Sequence, residues 1–191
     1  MVTKNKRPVD NWKKKKWFEV YADPVFDSIL LAETIAIESK KLIGRKIKKT
    51  LKDLTNNVRD SYYEITFVIK KVTTTKADTE ITCYETKNNY LRRLIRRGKS
   101  KIEPVFYVTT KDKHKIKIKM LFITGAKYPT NAKKEAQKII VDTVTEEINT
   151  KMLKEAWNDI IFQKLTDPCK KKLVKLGYVN KIIVSKATLK E

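Results

Sequence analysis

Four arginines fall within six residues, Arg92, Arg93, Arg96 and Arg97, and a little further on three lysines, Lys115, Lys117 and Lys119, alternate with apolar residues. A guanidinium offers a rigid fork of N–H donors that fits two oxygens of one phosphate, while an ammonium acts on the same group as a point charge. The chemistry open to these groups is anion binding, with no covalent bond made or broken. Lys99 and Lys101 stand between the two sets and extend them into one basic stretch.

The local pattern says which elements would carry them. Leu91, Leu94 and Ile95 recur at helical spacing, which predicts a short cationic helix held by those three, with the arginines on its other faces and Gly98 closing it in a left-handed conformation. A hairpin follows. Val105, Tyr107 and Thr109 alternate with Phe106 and Val108, and Ile116, Ile118 and Met120 alternate with the three lysines, giving one face to a core and a row of ammonium groups to the outside. A lysine row on an exposed strand also keeps sheet edges from pairing with other chains, so two readings of the row stand side by side.

The charge is unevenly placed. The 191 residues hold 44 Lys and Arg against 22 Asp and Glu, a net +22 that exceeds what solubility requires. Residues 1–17 contain seven bases and one acid, 87–119 twelve and two, and 164–191 eight and two; the segments between them are neutral. Blocks of this kind are the electrostatic footprint of a nucleic-acid binder. Residues 1–16 form an expected basic arm, too polar to order without an anion to order against. Within it Lys13, Lys14, Lys15 and Lys16 lie between Trp12 and Trp17, and aromatic faces beside ammonium groups suit unpaired bases and phosphates. Trp17 is assigned to the first core strand with Phe18, Val20 and Tyr21; Trp12 is left open between the two roles.

The remainder reads as α+β: an antiparallel, barrel-like sheet of about six strands with helices gathered at one side. Residues 17–191 are expected as a single domain, β-rich over 17–125, helical over 130–177 and closed by a short strand over 181–186. Strands are expected at 34–38, at 62–72, where Ile65, Phe67 and Ile69 share a phase, and at 80–86 after a turn at 76–78. Thr130 or Asn131 should cap a helix with Ala136, Ile140, Val144 and Ile148 in its apolar stripe. Lys133 and Lys134 in its first turn oppose the helix dipole, which suggests that they serve a partner outside the helix. Further helices are expected over 152–164 and 169–176, the latter opening on Pro168 and ending before Gly177.

Enzyme chemistry finds no constellation. The one histidine, His114, lies in the hairpin turn, the glycines are scattered singly, and Cys83 and Cys169 are far apart, so no catalytic site, cofactor, metal site or disulfide framework is expected. No apolar run reaches the length of a membrane span.

Lys16-Trp17-Phe18-Glu19-Val20 followed by Pro24 and Phe26, then Gly44-Arg45, Asp53-Leu54, the basic helix, the hairpin ending in Phe122 to Gly125 and the helix after it occur in an order that resembles the three-Ae family of small-subunit ribosomal proteins of archaea and eukaryotes. The resemblance spans most of the chain and, without the extensions of the eukaryotic form, implies an archaeal source. It implies a structural, non-enzymatic constituent of cytoplasmic ribosomes, bound to small-subunit ribosomal RNA on the platform near the messenger exit. Its implied neighbours are other platform proteins, the universal small-subunit protein eleven among them, and neither a membrane nor a free homo-oligomer is expected. The alternative is a dissociable nucleic-acid-binding translation factor, and an RNA-processing enzyme would need residues that this sequence does not supply.

Overall fold

A computed structural model describes residues 12, 14–174, 177 and 179–190. Among the described residues there are nine strands, β1 Lys16–Tyr21, β2 Leu30–Ala36, β3 Lys46–Thr50, β4 Tyr63–Val72, β5 Lys76–Thr86, β6 Lys101–Ile102, β7 Val105–Thr109, β8 Lys115–Thr124 and β9 Val179–Lys190. Five helices accompany them: α1 Leu51–Thr55, α2 Asn88–Leu94, α3 Thr130–Asn149, α4 Leu153–Ile161 and α5 Thr166–Leu173. The α+β class is as expected, but the sheet has nine strands where about six were expected. It is mixed, not antiparallel, because β1 pairs with β5 in parallel, Val20 opposite Ala77. The pairing path runs β2-β1-β5-β9-β8-β6, with β4 joined to β3 and β5 and β7 joined to β8, and no pairing among the described residues closes it into a barrel.

The described residues divide into two compact units, those up to 47 with 67–80, and 48–66 with those from 81 onward. Of the expected arm, residues 1–11 and Lys13 lie outside the described residues. In the first unit β1 and β2 pair with Phe18 opposite Thr34 and Val20 opposite Ala32. Phe18 and Val20 point inward with Ala36, Leu42, Ile69 and Ala77. Side chains of a strand alternate, so Trp17 must take the outward phase, and it is 63% exposed, part of the strand but not of the core to which it was assigned. Asp23 stops the strand by accepting the Val25 N–H at 3.1 Å, which seats Phe26 edge-on against Phe67 at 6.1 Å. β2 starts at Leu30, ahead of the strand expected at 34–38. Residues 76–78, expected as a turn, are already strand; the reversal comes just before them, where the Thr73 N–H donates to the Lys76 carbonyl at 2.7 Å.

In the second unit β8 is flanked by β7 and β9, with Phe106 opposite Ile118 and Ile118 opposite Ala187. These residues, with Val108 and Ile116, are buried. α3 packs on β7 and α5, and α5 packs on β9, so one side of this three-stranded region is roofed by helices. α3 turns the expected stripe inward, Ala136, Ile140, Val144 and Ile148, joined by Thr143. Pro129, not Thr130 or Asn131, occupies its N-cap position, with no side-chain cap. α5 begins at Thr166, so Pro168 sits inside the first turn; that is tolerated because N–H groups there have no intrahelical acceptor. α2 ends at Leu94. Leu91 packs with Leu121 and Ile123 and Leu94 packs against that cluster, whereas Ile95 is extended and exposed, so Arg96 and Arg97 follow the helix and do not ride on it as expected. The closing strand runs over Val179–Lys190, twice the expected length, and pairs with both β8 and β5.

Candidate nucleic-acid interface

The uncovered side of β7, β8 and β9 is a grid fixed by strand register. Val105, Lys119 and Lys186 form one cross-strand row, Tyr107, Lys117 and Thr188 the next, and Thr109, Lys115 and Lys190 the third. The buried phase of each strand is held under the helices, and period-two alternation then forces every member of the grid outward. The grid extends onto β5, where Glu85 stands opposite Lys186 and Cys83 opposite Thr188. A groove of about 500 Å³ runs across it.

The five lysines of this face are not equivalent. Lys186 pairs with Glu85 at 3.1 Å and Lys119 with Glu103 at 3.6 Å. Glu85 is shared with Lys48 at 2.9 Å, and Lys48 also pairs with Glu64. Hydrogen bonding from Lys48, then from Lys186, holds the Glu85 carboxyl below its usual range, and Glu64 and Glu85 together push Lys48 upward. Lys115, Lys117 and Lys190 have no carboxylate within ion-pair distance among the described residues. Two of these ammonium groups face the Tyr107 ring, Lys190 at 5.2 Å and Lys117 at 5.7 Å from its centroid.

Other expected site residues fall into separate groups. Arg92 and Arg93 are exposed on α2, and Arg96 and Arg97 are exposed in the turn after it, where Gly98 takes φ +81. Lys101 reaches Glu103 at 2.9 Å, so Glu103 joins Lys101 of β6 to Lys119 of the grid. Lys99 is half-buried. Lys133 and Lys134 stand on α3 and share no ion pair with the grid among the described residues. Lys14 and Lys16 are exposed, and the Lys15 ammonium lies 4.1 Å over the ring of Trp12, itself exposed. Lys13 lies outside the described residues.

Sequence reasoning passed over Tyr107, Lys186 and Lys190 as site residues. Tyr107 was legible, because it shares a phase with Val105 and Thr109 and therefore cannot share the buried one. Lys190 was not, since its role depends on a strand longer than its local pattern announces. A second aromatic group joins α2 to β9: Tyr62 and Tyr90 stack at 4.4 Å, and Lys181 donates to the Tyr90 hydroxyl at 2.6 Å. The cysteines are free; burial pushes the Cys169 thiol up to about 11, which leaves it unreactive.

The ribosomal S3Ae family matches residues 3–191 of the chain. The small ribosomal subunit protein eS1 of Staphylothermus marinus is 33% identical over 180 residues, 94% of this chain and 85% of the relative. That of Desulfurococcus amylolyticus is 30% identical over 180 residues, 94% and 84% of the two chains, and that of Saccharolobus islandicus is 33% identical over 158 residues, 83% and 76%.

Proposed function

The chain belongs to the ribosomal S3Ae family, and on that premise we propose that it is a structural constituent of the small ribosomal subunit that binds small-subunit ribosomal RNA through phosphate contacts. The reading includes a seat on the platform near the messenger exit, next to other platform proteins, as the family resemblance implies. Two relatives named as small ribosomal subunit protein eS1 align with 94% of this chain and with 85% and 84% of their own length. The observation that carries the RNA part is the grid itself, on which Lys115, Lys117 and Lys190 project from three-stranded backbone with no carboxylate within ion-pair distance among the described residues. Strand register fixes where these lysines are rooted, so an incoming phosphate meets neighbouring cations that no carboxylate among the described residues has neutralised. The arginines at and after α2 add forked donors.

Sedimentation of a cell lysate through low-salt and then high-salt sucrose tests this. A structural constituent stays with the small subunit in a fixed ratio through the high-salt step. Release of the protein to the top of the gradient by salt would favour a dissociable factor and overturn the proposal.

A further inference from the structure

Tyr107 is the feature of the grid that phosphate binding leaves unexplained. A face made only to hold phosphates, or only to repel other sheet edges, gains nothing from an exposed aromatic ring, yet Tyr107 is 54% exposed and its neighbour Val105 is 49% exposed. The ring also occupies the middle row, directly across from Lys117, and Lys190 of β9 comes within 5.2 Å of its centroid from the far side of β8. An aromatic ring with two ammonium groups 5.2 and 5.7 Å from its centroid matches a nucleotide's own division into a flat base and a charged phosphate.

We infer that the Tyr107 groove is a binding site for unpaired RNA, in which one base stacks at Tyr107 and the flanking phosphates lie on Lys115, Lys117 and Lys190. This rests on the proposed role in binding ribosomal RNA and adds the form of RNA that this face takes. A base inside a duplex has both faces covered by its neighbours, so only an unpaired or flipped-out base can use the ring. The groove of about 500 Å³ is lined from all three strands, by Val105 and Tyr107 of β7, Lys117 and Lys119 of β8, and Thr188 and Lys190 of β9, which gives a nucleotide and its phosphates room on one face. Stacking is tolerant of base identity because every base has a π-face, so affinity should depend little on sequence. An acidic peptide would meet the same lysines but would have no flat group to set against the ring.

The test uses the full chain and fluorescence anisotropy with three end-labelled probes: an unstructured ten-nucleotide RNA, an RNA duplex and a poly-glutamate peptide of matched charge. Tyr107→Leu should weaken binding of the unpaired RNA by about 5- to 150-fold, the range found for loss of one stacked base. It should leave duplex binding unchanged, and Tyr107→Phe should restore the unpaired RNA. Lys117→Gln with Lys190→Gln should lower the salt slope for the unpaired RNA by about 1.4, two phosphate contacts on a single strand. Circular dichroism checks that each variant is folded, as expected for exposed positions. Equal binding of unpaired RNA by wild type and Tyr107→Leu, an equal loss for duplex and unpaired RNA, or tighter binding of the peptide than of the unpaired RNA would each overturn the inference. Failure of the ribosomal role reads out separately, as release from small subunits in high salt, whatever Tyr107→Leu does to the oligonucleotide.

Discussion

At the scale of single residues, what matters is which cations are already spoken for. Lys48 is drawn onto Glu64 and Glu85, and Lys101 onto Glu103, so these contribute little to an external anion. Arg92, Arg93, Arg96 and Arg97 are exposed, with no carboxylate within ion-pair distance among the described residues. Four like charges in so short a stretch repel one another in the free protein, while Leu91 and Leu94 hold the helix independently of them. Replacing the four arginines together with glutamine should therefore leave the thermal midpoint of the free protein unchanged or slightly raised. RNA affinity should fall, and its salt slope should drop by about one per arginine. Unfolding of the variant with an unchanged slope would make these residues internal scaffold. Trp17 shows the limit of reading single residues by type: hydrophobicity placed it in the core, but Phe18 and Val20 already claimed the inward phase, and the strand's period decided.

At the scale of elements, alternation and helical stripes were legible, and partnership was not. β8 announces itself, because Ile116 and Ile118 against the lysines can only be one buried and one exposed face. β9 hides. Ile182, Ile183, Val184 and Ser185 are buried in succession, so no period of two marks that part of the strand, and its length is set by pairing with β8 and β5, residues far away in sequence. The same distance dependence explains why the parallel pairing of β1 with β5 could not be foreseen. Helix ends shifted for a local reason: α2 stops where Ile95 finds no core to cover it, which spacing alone does not reveal. A frayed terminal strand and a central one differ sharply in cost. Ile183 is 1% exposed and pairs with Leu121, so Ile183→Ala should cost about 2–5 kcal/mol in urea unfolding. Lys190→Gln, on the same strand but in the outward phase, should change stability by less than about 0.5 kcal/mol. Equal, small effects would mean that Ile183 is not held in a packed central strand.

At the scale of the whole molecule, the excess of 22 positive charges acts on the free and bound states with opposite sign. Without RNA the charges repel one another, and added salt screens that repulsion, so the thermal midpoint of the free protein should rise between low and moderate salt. With RNA present the charges are an asset. Binding stabilises the folded state in proportion to the logarithm of ligand concentration over Kd, and salt raises Kd by restoring the counterions that binding displaces. If the arginines around α2 and Lys115, Lys117 and Lys190 of the grid neutralise roughly six phosphates, log affinity should fall with log salt at a slope of about five. The thermal midpoint of the complex should accordingly start above that of the free protein, fall as salt is added, and meet the rising curve of the free protein where binding is lost. Differential scanning fluorimetry across a salt series, with and without a fragment of small-subunit ribosomal RNA, reads both curves in one experiment. A slope near one, or two curves that run parallel, would mean that the charge does not serve RNA binding, and the large basic excess would then lack its partner.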